Sequence, residues 1–389
     1  MEIGGIILLL GAIVGHIALL SFSNNWWFAH PLPHRFLTCV RLLHGLLVLA
    51  GVTAFVLAAP LRLAELTAWA ASDPWHSAAK GYTLLCLFVG LVWGPIITLR
   101  RLLRPVPAVL LSNHTQTVDV ARELGYKPIG RGKWRHLARL PGNEVFRVDF
   151  VERTLRLPRL PAAWDGLSIL HVSDLHMCGT PDKTFYQQVM KCCDQWQPDL
   201  IAFTGDAVDA DDGYRWILPV LGRLHCRIAA FAILGNHDSW HEPPVLRRRL
   251  RRCGYRVLAN SWETIDVHGQ PLVVIGHEGP WFSPAPDVSG CPEGTFRLCL
   301  SHTPDNIAWA RQQQIDLMLA GHNHGGQIRF PLVGSVLVPS SYGRRYDCGT
   351  FDEPPTVLHV SRGLAGQHPV RYNCRPEVTR LILKAPAAA

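Results

Sequence analysis

The sequence predicts an α/β domain that follows several transmembrane helices, and two observations predict it. From Leu167 onward, short apolar runs alternate with amphipathic helical stretches, as in an α/β domain. Ahead of them lie three long uncharged stretches, and the whole chain has a positive mean hydropathy of +0.11 with only 17% charged residues. A soluble globular protein has about a quarter of its residues charged. Disorder, collagen and coiled coil are therefore excluded as the main state, and we expect part of the chain to lie in lipid.

The three uncharged stretches run over Ile3–Phe22, Leu42–Leu61 and Gly81–Leu99. Each reaches the ~20 residues that a helix needs to cross a bilayer. The first has neither a basic start nor an A-x-A cleavage site, so we do not expect a removable signal peptide. We assign residues 1–104 to a membrane region with about three transmembrane helices.

Positive charge is concentrated in the first part of the chain. Residues 1–160 hold 17 Lys or Arg against eight Asp or Glu, whereas the remaining residues have a net charge of −1. The third stretch is followed at once by Arg100, Arg101 and Arg104, which by the positive-inside rule predicts a multi-pass protein of the inner (plasma) membrane with a cytoplasmic C-terminal domain. Residues 105–160 read as a basic connector that faces anionic lipid or simply water. A nucleic-acid partner is not expected, because the part of the chain after residue 160, which holds the candidate active-site motifs, has almost no net charge. A nucleic-acid enzyme would carry positive charge around its active site.

Cysteine usage fits that compartment. The eleven cysteines form no CxxC pair, so neither a disulfide framework nor a zinc ribbon is predicted. We expect free thiols in a reducing environment.

Polar motifs follow five of the predicted strands of the C-terminal part, at the point where each strand ends. They are Asp174-Leu175-His176, Gly205-Asp206 with Asp209, Gly235-Asn236-His237-Asp238, Ser301-His302 and Gly321-His322-Asn323-His324. The carboxyl ends of strands in an open α/β sheet converge on one crevice. Carboxylate, imidazole and amide oxygen together make a metal-site composition. A bridging Asp flanked by His-bearing motifs predicts a two-metal centre of the kind that clamps a phosphoryl group, with ions ~3.5–4 Å apart.

In this order the motifs resemble the calcineurin-like metallophosphoesterase superfamily, whose signature is D-x-H, G-D-x-x-D, G-N-H-D/E, H, G-H-x-H. The resemblance implies a four-layer α/β/β/α sandwich with the metals at one edge and a catalytic domain over residues 161–385. Four later segments are similar to the membrane-linked bacterial phosphodiesterase branch, which includes enzymes that cleave the pyrophosphate of UDP-2,3-diacylglucosamine in lipid A biosynthesis. These segments are Gly325-Gly326-Gln327, Ser361–Leu364, Pro369–Arg371 and Pro376-Glu377.

The resemblance also implies roles for single residues. It assigns seven ligands to two divalent metal ions: Asp174, His176 and His324 to one, Asn236, His302 and His322 to the other, and Asp206 as the bridge. His237 would face the substrate phosphate, Asp238 would orient its imidazole, and Asp209 would give further support. The ligand types suit Mn²⁺, Fe or Zn²⁺ equally.

The expected mechanism follows from this inventory. Two divalent ions lower the pKa of a water that bridges them, which gives a hydroxide at neutral pH. We expect that hydroxide to attack phosphorus in line, while His237 stabilises the phosphoryl oxygens or protonates the leaving oxygen.

Other residues near the motifs have less specific interpretations. The aromatic residues Trp240, Trp281 and Phe282 would stack a base, cover an acyl chain or pack in the core. His277 would at most line the pocket, and His171 is expected to be a core residue.

The leading hypothesis is a membrane-anchored dimetal hydrolase of a phosphodiester or pyrophosphate, with a lipid-linked or nucleotide-lipid substrate such as UDP-2,3-diacylglucosamine. One alternative is a nuclease, a cyclic-nucleotide phosphodiesterase or a protein phosphatase. Another is a non-catalytic membrane scaffold with a phosphoesterase fold, for which loss of metal ligands would be expected.

Overall fold

The computed structural model describes residues 3–62 and 74–386. The chain forms two compact units. The helical unit is Met1–Pro105 together with Pro331–Gly343, and the sheet unit is Val106–Phe330 together with Arg344–Ala389.

The described residues of the helical unit form four helices and one short loop segment. The helices are α1 (Ile3–Phe28), α2 (His34–Arg62), α3 (Pro74–Phe88) and α4 (Gly94–Leu102), with a π-helical turn at Val89–Trp93 between the last two. Among the described residues, three stretches are long and apolar enough to cross a membrane: Ile3–Phe28, His34–Leu57 and Ser77–Leu102. The first and third uncharged stretches of the sequence lie within two of these spans, and the second, Leu42–Leu61, lies within α2.

Small residues bring the helices into backbone contact. A Cβ atom on Gly15 of α1 would lie 1.8 Å from the carbonyl oxygen of Cys86, and one on Gly90 would lie 1.9 Å from the carbonyl oxygen of Gly11. Glycine therefore lets α1 pack directly on the helix that runs through Gly90, as small residues do between membrane helices.

His16 joins three helices. Its Nδ1 lies 2.5 Å from the hydroxyl of Tyr82, and its Nε2 lies 3.0 Å from the carbonyl oxygen of Leu47. A hydroxyl and a carbonyl thus satisfy both ring nitrogens of this buried histidine.

The sheet unit contains two large mixed sheets. One has the strand order β1-β2-β15-β3-β4-β5-β6, and the other has β13-β14-β10-β9-β8-β7. The strands of the described residues, of which only β12 lies in the helical unit, are β1 (Leu110–Asp119), β2 (Arg147–Arg156), β3 (Ser168–Val172), β4 (Leu200–Phe203), β5 (Ala229–Ala232), β6 (Arg256–Val257), β7 (Trp262–Val267), β8 (Gln270–His277), β9 (Phe296–Ser301), β10 (Leu317–Ala320), β11 (Arg329–Phe330), β12 (Gly334–Ser335), β13 (Gly349–Glu353), β14 (Thr356–Val360) and β15 (Glu377–Lys384). The helices of this unit are α5 (Val120–Leu124), α6 (Lys183–Asp194), α7 (Gly213–Leu221), α8 (Asn236–Ser239), α9 (Pro243–Arg252) and α10 (Ile307–Gln312).

Three hydrophobic cores divide this unit into four layers. Ile169 of β3 belongs to the core between the two sheets, together with Leu300 and Leu319 of the other sheet. The next residue, Leu170, points to the opposite face, where α6, α7 and α9 pack. The second sheet has its own outer core, in which Ile307 of α10 packs. Since successive side chains in a strand face opposite sides, this arrangement is an α/β/β/α sandwich, as the resemblance implied.

Residues 105–160, which we expected to be a connector, contain two strands of the first sheet, β1 and β2. Strand β2 pairs with β15 in parallel, with Asp149 opposite Glu377, and β1 pairs with the outer edge of β2. Side chains of β1 between Asn113 and Thr117 are exposed and polar. An edge strand without a buried face has no apolar alternation, so its sequence carries no strand signal.

Candidate metal centre

All seven predicted ligands lie at the carboxyl ends of strands. Asp174 and His176 follow β3, Asp206 follows β4, and Asn236 begins α8 after β5. These three strands are parallel neighbours in one sheet. His302 follows β9, and His322 and His324 follow β10, which is its parallel neighbour in the other sheet. In both sheets, the motifs therefore follow the carboxyl ends of parallel strands, where loops converge.

A first group of ligand atoms surrounds Asp174. Its Oδ1 lies 3.8 Å from Nε2 of His176 and 3.7 Å from Nε2 of His324. The two imidazole nitrogens lie 3.1 Å apart. A carboxylate oxygen and two ring nitrogens at these separations can coordinate one divalent ion.

A second group forms around His302. Its Nε2 lies 2.9 Å from Oδ1 of Asn236 and 3.4 Å from Oδ2 of Asp206. His322 completes this group, since one of its ring nitrogens lies within 4.8 Å of a carboxylate oxygen of Asp206 and of a ring nitrogen of His302. All four side chains are buried.

Asp206 lies between the two groups. Its Oδ2 is 3.4 Å from Nε2 of His176 in the first group and 3.4 Å from Nε2 of His302 in the second. This oxygen and Nε2 of His322 are buried and have no hydrogen-bond partner among the described residues. Leaving buried polar atoms unpaired costs roughly 1–3 kcal/mol each. A pair of divalent ions that share the Asp206 carboxylate would satisfy both atoms, so the residues present fit the predicted dimetal centre.

Backbone strain is concentrated at these residues. Five of the seven predicted ligands have positive φ values although none is a glycine: Asp174 at 55°, His176 at 41°, Asp206 at 57°, His322 at 68° and His324 at 49°. The left-handed region costs a non-glycine residue roughly 1–2 kcal/mol. Such strain persists where the surrounding structure requires it, and it clusters at functional sites.

In two predicted histidine ligands, the ring nitrogen that faces away from the other ligand atoms is hydrogen-bonded, and this hydrogen bond selects the tautomer. Nδ1 of His302 donates to the carbonyl oxygen of Thr204 at 2.7 Å. Nδ1 of His176 donates to Oδ2 of Asp209 at 3.0 Å. In each ring the proton is therefore on Nδ1, and the lone pair of Nε2 is free to bind a metal.

Asp209, and not Asp238, orients His237. Oδ1 of Asp209 lies 2.5 Å from Nδ1 of His237, so one carboxylate holds the rings of His176 and His237, whose centroids are 4.5 Å apart. Asp238 accepts hydrogen bonds from the backbone amides of Asp206, Ala207 and Gly235 at 2.8–2.9 Å. The expected role of Asp238 is thus corrected: α8 turns its carboxylate toward the loop after β4, which it holds in place.

Comparison with known proteins agrees with this geometry. Residues 167–326 match the calcineurin-like phosphoesterase family. Phosphodiesterase YaeI of Escherichia coli is 31% identical over 220 residues, which cover 55% of this chain and 81% of YaeI. The chain belongs to the calcineurin-like metallophosphoesterase family. It is accordingly a metal-dependent phosphoesterase.

Of two further relatives, one is named for a substrate and the other is not. The uncharacterized metallophosphoesterase YkuE of Bacillus subtilis is 29% identical over 251 residues, which cover 62% of this chain and 87% of YkuE. UDP-2,3-diacylglucosamine pyrophosphatase LpxG of Chlamydia muridarum is 24% identical over 280 residues, which cover 57% of this chain and 85% of LpxG.

Two glycines of the metallophosphoesterase motifs lie against predicted metal ligands. A Cβ atom on Gly321 would lie 1.9 Å from Oγ of Ser173 and 2.4 Å from Oδ2 of Asp174. One on Gly235 would lie 2.2 Å from Oδ1 of Asp206. Any side chain here would displace a ligand, which is why the motif needs glycine at both positions.

The electrostatics keep Asp206 ionised. Burial alone would raise its pKa, but the imidazoles of His302, His237 and His176 outweigh burial and hold the pKa of Asp206 below its usual range. At Asp238, burial and the neighbouring Asp206 carboxylate raise the pKa to about 7. The carboxylate between the two groups is therefore charged at neutral pH and able to bind cations.

Arg371 is a supporting residue to which the sequence assigned no role. Its side chain is buried, and it donates to the carbonyl oxygens of His324, Arg362 and Ala365 at 3.1, 2.9 and 2.5 Å. It thereby ties the turn that carries a metal ligand to the segment after β14. The only sequence signal was its place in a segment typical of the membrane-linked branch.

The same branch segments have structural roles near His324. A Cβ atom on Gly325 would lie 2.7 Å from Sγ of Cys374. Gln327 donates from Nε2 to the carbonyl oxygen of His368 at 3.2 Å. Arg362 forms an ion pair with the buried Glu377, with 2.7 Å from Nε to Oε2. These residues position the metal-binding turn.

Two half-buried tryptophans lie against the histidines of the centre. The ring of Trp281 is 5.5 Å from that of His302 and 4.8 Å from that of His322. The ring of Trp240 is 4.5 Å from that of His237. The third aromatic residue, Phe282, packs against the hydrophobic core on the outer face of the first sheet. His171 is buried, as expected for a core residue, and His277 is buried as well.

A basic segment lies beside the loop that carries His176. The backbone amides of Arg131 and Gly132 donate to the carbonyl oxygen of Gly179 at 2.9 and 3.1 Å, three residues after that ligand. The rings of Trp134 and His368 are in tilted contact, with their centroids 5.1 Å apart. The exposed cations of this segment are Lys127, Arg131, Lys133, Arg135 and Arg139.

Proposed function

We propose that this metallophosphoesterase hydrolyses a phosphodiester or pyrophosphate with two divalent ions. Asp174, His176 and His324 hold one ion, Asn236, His302 and His322 hold the other, and Asp206 joins them. The observation that carries the proposal is the unsatisfied Oδ2 of Asp206, which lies 3.4 Å from an imidazole nitrogen of each group.

The ions would supply Lewis acidity toward the phosphoryl oxygens and a water acidified enough to act as nucleophile. The remaining work is done by His237. Its Nδ1 is held by Asp209 at 2.5 Å, so Nε2 is the nitrogen that acts on the substrate. Because the Asp209 carboxylate holds Nδ1, the ring presents Nε2 to a phosphoryl oxygen or to the leaving oxygen.

The membrane helices support a lipid-linked substrate. Among the described residues, three helices are long and apolar enough to span a bilayer. The basic cluster Arg100, Arg101 and Arg104 at the end of α4 favours a cytoplasmic catalytic domain at the inner membrane. The relative LpxG is named for UDP-2,3-diacylglucosamine, a nucleotide-lipid with a pyrophosphate. We take this compound as the first candidate substrate.

The test is UMP release from UDP-2,3-diacylglucosamine by the full-length protein in detergent with Mn²⁺. The Asp206→Asn variant removes the shared ligand, and Asp211→Asn is its matched control because Asp211 is exposed and close in sequence. Release that is lost only in Asp206→Asn supports the proposal. If bis(p-nitrophenyl) phosphate is cleaved and the UDP-lipid is not, the chemistry stands and the substrate assignment is wrong.

A small nucleotide is the second candidate, because the Trp281 ring beside His322 offers a surface on which a base can stack. Under this alternative, a soluble cyclic or linear nucleotide diester would be cleaved faster than the UDP-lipid. Trp281→Ala would then raise KM for nucleotides while leaving KM for bis(p-nitrophenyl) phosphate unchanged.

A further inference from the structure

The segment Pro331–Gly343, named here the apolar loop, belongs to the helical unit although it is far from the helices in sequence. The buried side chain of Asn25 holds it. Nδ2 of Asn25 donates to the carbonyl oxygen of Val336 at 3.0 Å, and Oδ1 accepts from the amide of Val338 at 2.9 Å. The side-chain amide thus pairs with the loop backbone as a neighbouring strand would.

A second contact fixes the loop to another helix. Nη1 of Arg101 donates to the carbonyl oxygen of Val333 at 3.2 Å. Asn25 is three residues before the end of α1, and Arg101 is one residue before the end of α4. Because one short loop bonds to both helix ends, the two ends lie on the same side of the helical unit.

These helix ends carry the residues of a membrane interface. Trp26 and Trp27 follow Asn25 directly, and Arg100 and Arg104 flank Arg101. Tryptophan and arginine are enriched where membrane helices leave the hydrocarbon and enter the headgroup layer. The apolar loop is therefore bonded to the helical unit at the level of that layer.

The loop itself suits lipid better than water. Its thirteen residues include no charged one, and Arg344 and Arg345 follow immediately. Leu332 is 74% exposed and Leu337 55% exposed. Their exposed apolar surface would be covered at the boundary between headgroups and acyl chains.

We propose that the apolar loop inserts Leu332, Val333 and Leu337 into the interfacial layer of the bilayer that the helices span. The partner is the lipid itself.

The test is photolabelling of the full-length protein in phosphatidylcholine liposomes that contain an acyl-chain diazirine lipid. Trypsin releases the loop as residues 330–344, between Arg329 and Arg344. We expect adducts on this peptide as well as on α1 and α2. The double variant Leu332→Asp/Leu337→Asp should lose most of the loop adducts, about tenfold, while the helices stay labelled. Leu218→Asp, at an equally exposed leucine of α7, should change nothing.

Labelled helices with an unlabelled 330–344 peptide would overturn the proposal. Cross-links through this peptide to a second copy of the chain, without lipid adducts, would also overturn it and assign the surface to self-association. Neither outcome depends on hydrolysis, so failure here is distinguishable from failure of the proposed function.

A second pair of variants tests how the loop is held. Asn25→Leu removes both bonds to the loop, and Asn24→Leu makes the same change one residue earlier on α1, at a side chain with no assigned bond to the loop. Hydrogen exchange of residues 333–338 should become at least about tenfold faster in Asn25→Leu only. Equal exchange in both variants would contradict the assigned anchoring.

Discussion

Asp209 accepts a hydrogen bond from Nδ1 of His237 at 2.5 Å with one carboxylate oxygen, while its other oxygen binds Nδ1 of His176 at 3.0 Å. The imidazoles of His237 and His176 outweigh burial and hold the pKa of Asp209 well below its usual range. A single ionised carboxylate therefore fixes the tautomer of a predicted metal ligand and of the predicted acid at once.

Asp209→Asn is expected to lower kcat about 10–100-fold, the usual cost of losing a partner that orients a ligand. The neutral amide cannot replace the charged acceptor that holds both imidazoles. Steady-state kinetics check this, with Asp211→Asn as control. A wild-type kcat in Asp209→Asn would contradict this role.

Gly321→Ala is expected to destroy the first metal group. Its methyl would lie 2.4 Å from Oδ2 of Asp174, and relieving such a contact costs roughly 1–3 kcal/mol. We expect at least a hundredfold loss of activity and a lower melting temperature. Gly290→Ala is the matched control, because its methyl would meet only Trp262 at an ordinary 3.4 Å. Wild-type activity in Gly321→Ala would contradict the arrangement of the ligands.

His277 is expected to make the fold sensitive to acid. Burial lowers the pKa of His277 to about 4, and its Nδ1 accepts from the amide of Gly279 and from Asn306. The unfolded chain binds a proton near pH 6.5, so between pH 6.5 and 4 it binds more protons than the folded chain.

The free energy of unfolding should therefore fall as pH drops through that window, by at most about 3 kcal/mol from this residue, and stay constant above it. Denaturant titrations at pH 7 and pH 4.5 measure the difference. It should shrink in His277→Asn and persist in His225→Asn, an exposed histidine. An equal difference in both variants would rule out His277 as the source.

The basic segment beside the His176 loop should attract anionic substrates. Arg131→Gln/Lys133→Gln is expected to lower kcat/KM for the UDP-lipid about 3–10-fold at low salt with little change in kcat, because exposed cations act mainly on encounter. Added salt should remove the difference. Arg215→Gln, at an exposed arginine of α7, serves as control; an equal effect there would indicate bulk charge rather than this segment.

Much of the centre could be predicted from sequence because each motif directly follows an apolar strand. Asp174 and His324 belong to different sheets, yet both lie at carboxyl strand ends, where parallel topology brings side chains together. The alternation of strands and helices is consistent with the four-layer fold, which the resemblance implied.

The remaining features depend on contacts that a single sequence does not encode. Asp238 neighbours His237 in sequence, but α8 turns it toward the Asp206 loop. Arginine usually lies at the surface, so the burial of Arg371 is not expected from its residue type. Strand β1 lacks an apolar face. Asn25 pairs with Val336 more than 300 residues later, a distance over which no local pattern extends.

The central claim is that Asp206 joins two metal ions, and metal content tests it most directly. Full-length protein reconstituted with Mn²⁺, desalted and analysed by mass spectrometry of the elements should carry about two ions per chain. Asp206→Asn should retain at most about one, and Asp211→Asn should retain about two. Equal metal content in wild type and Asp206→Asn, or a wild type that binds none, would contradict the claim.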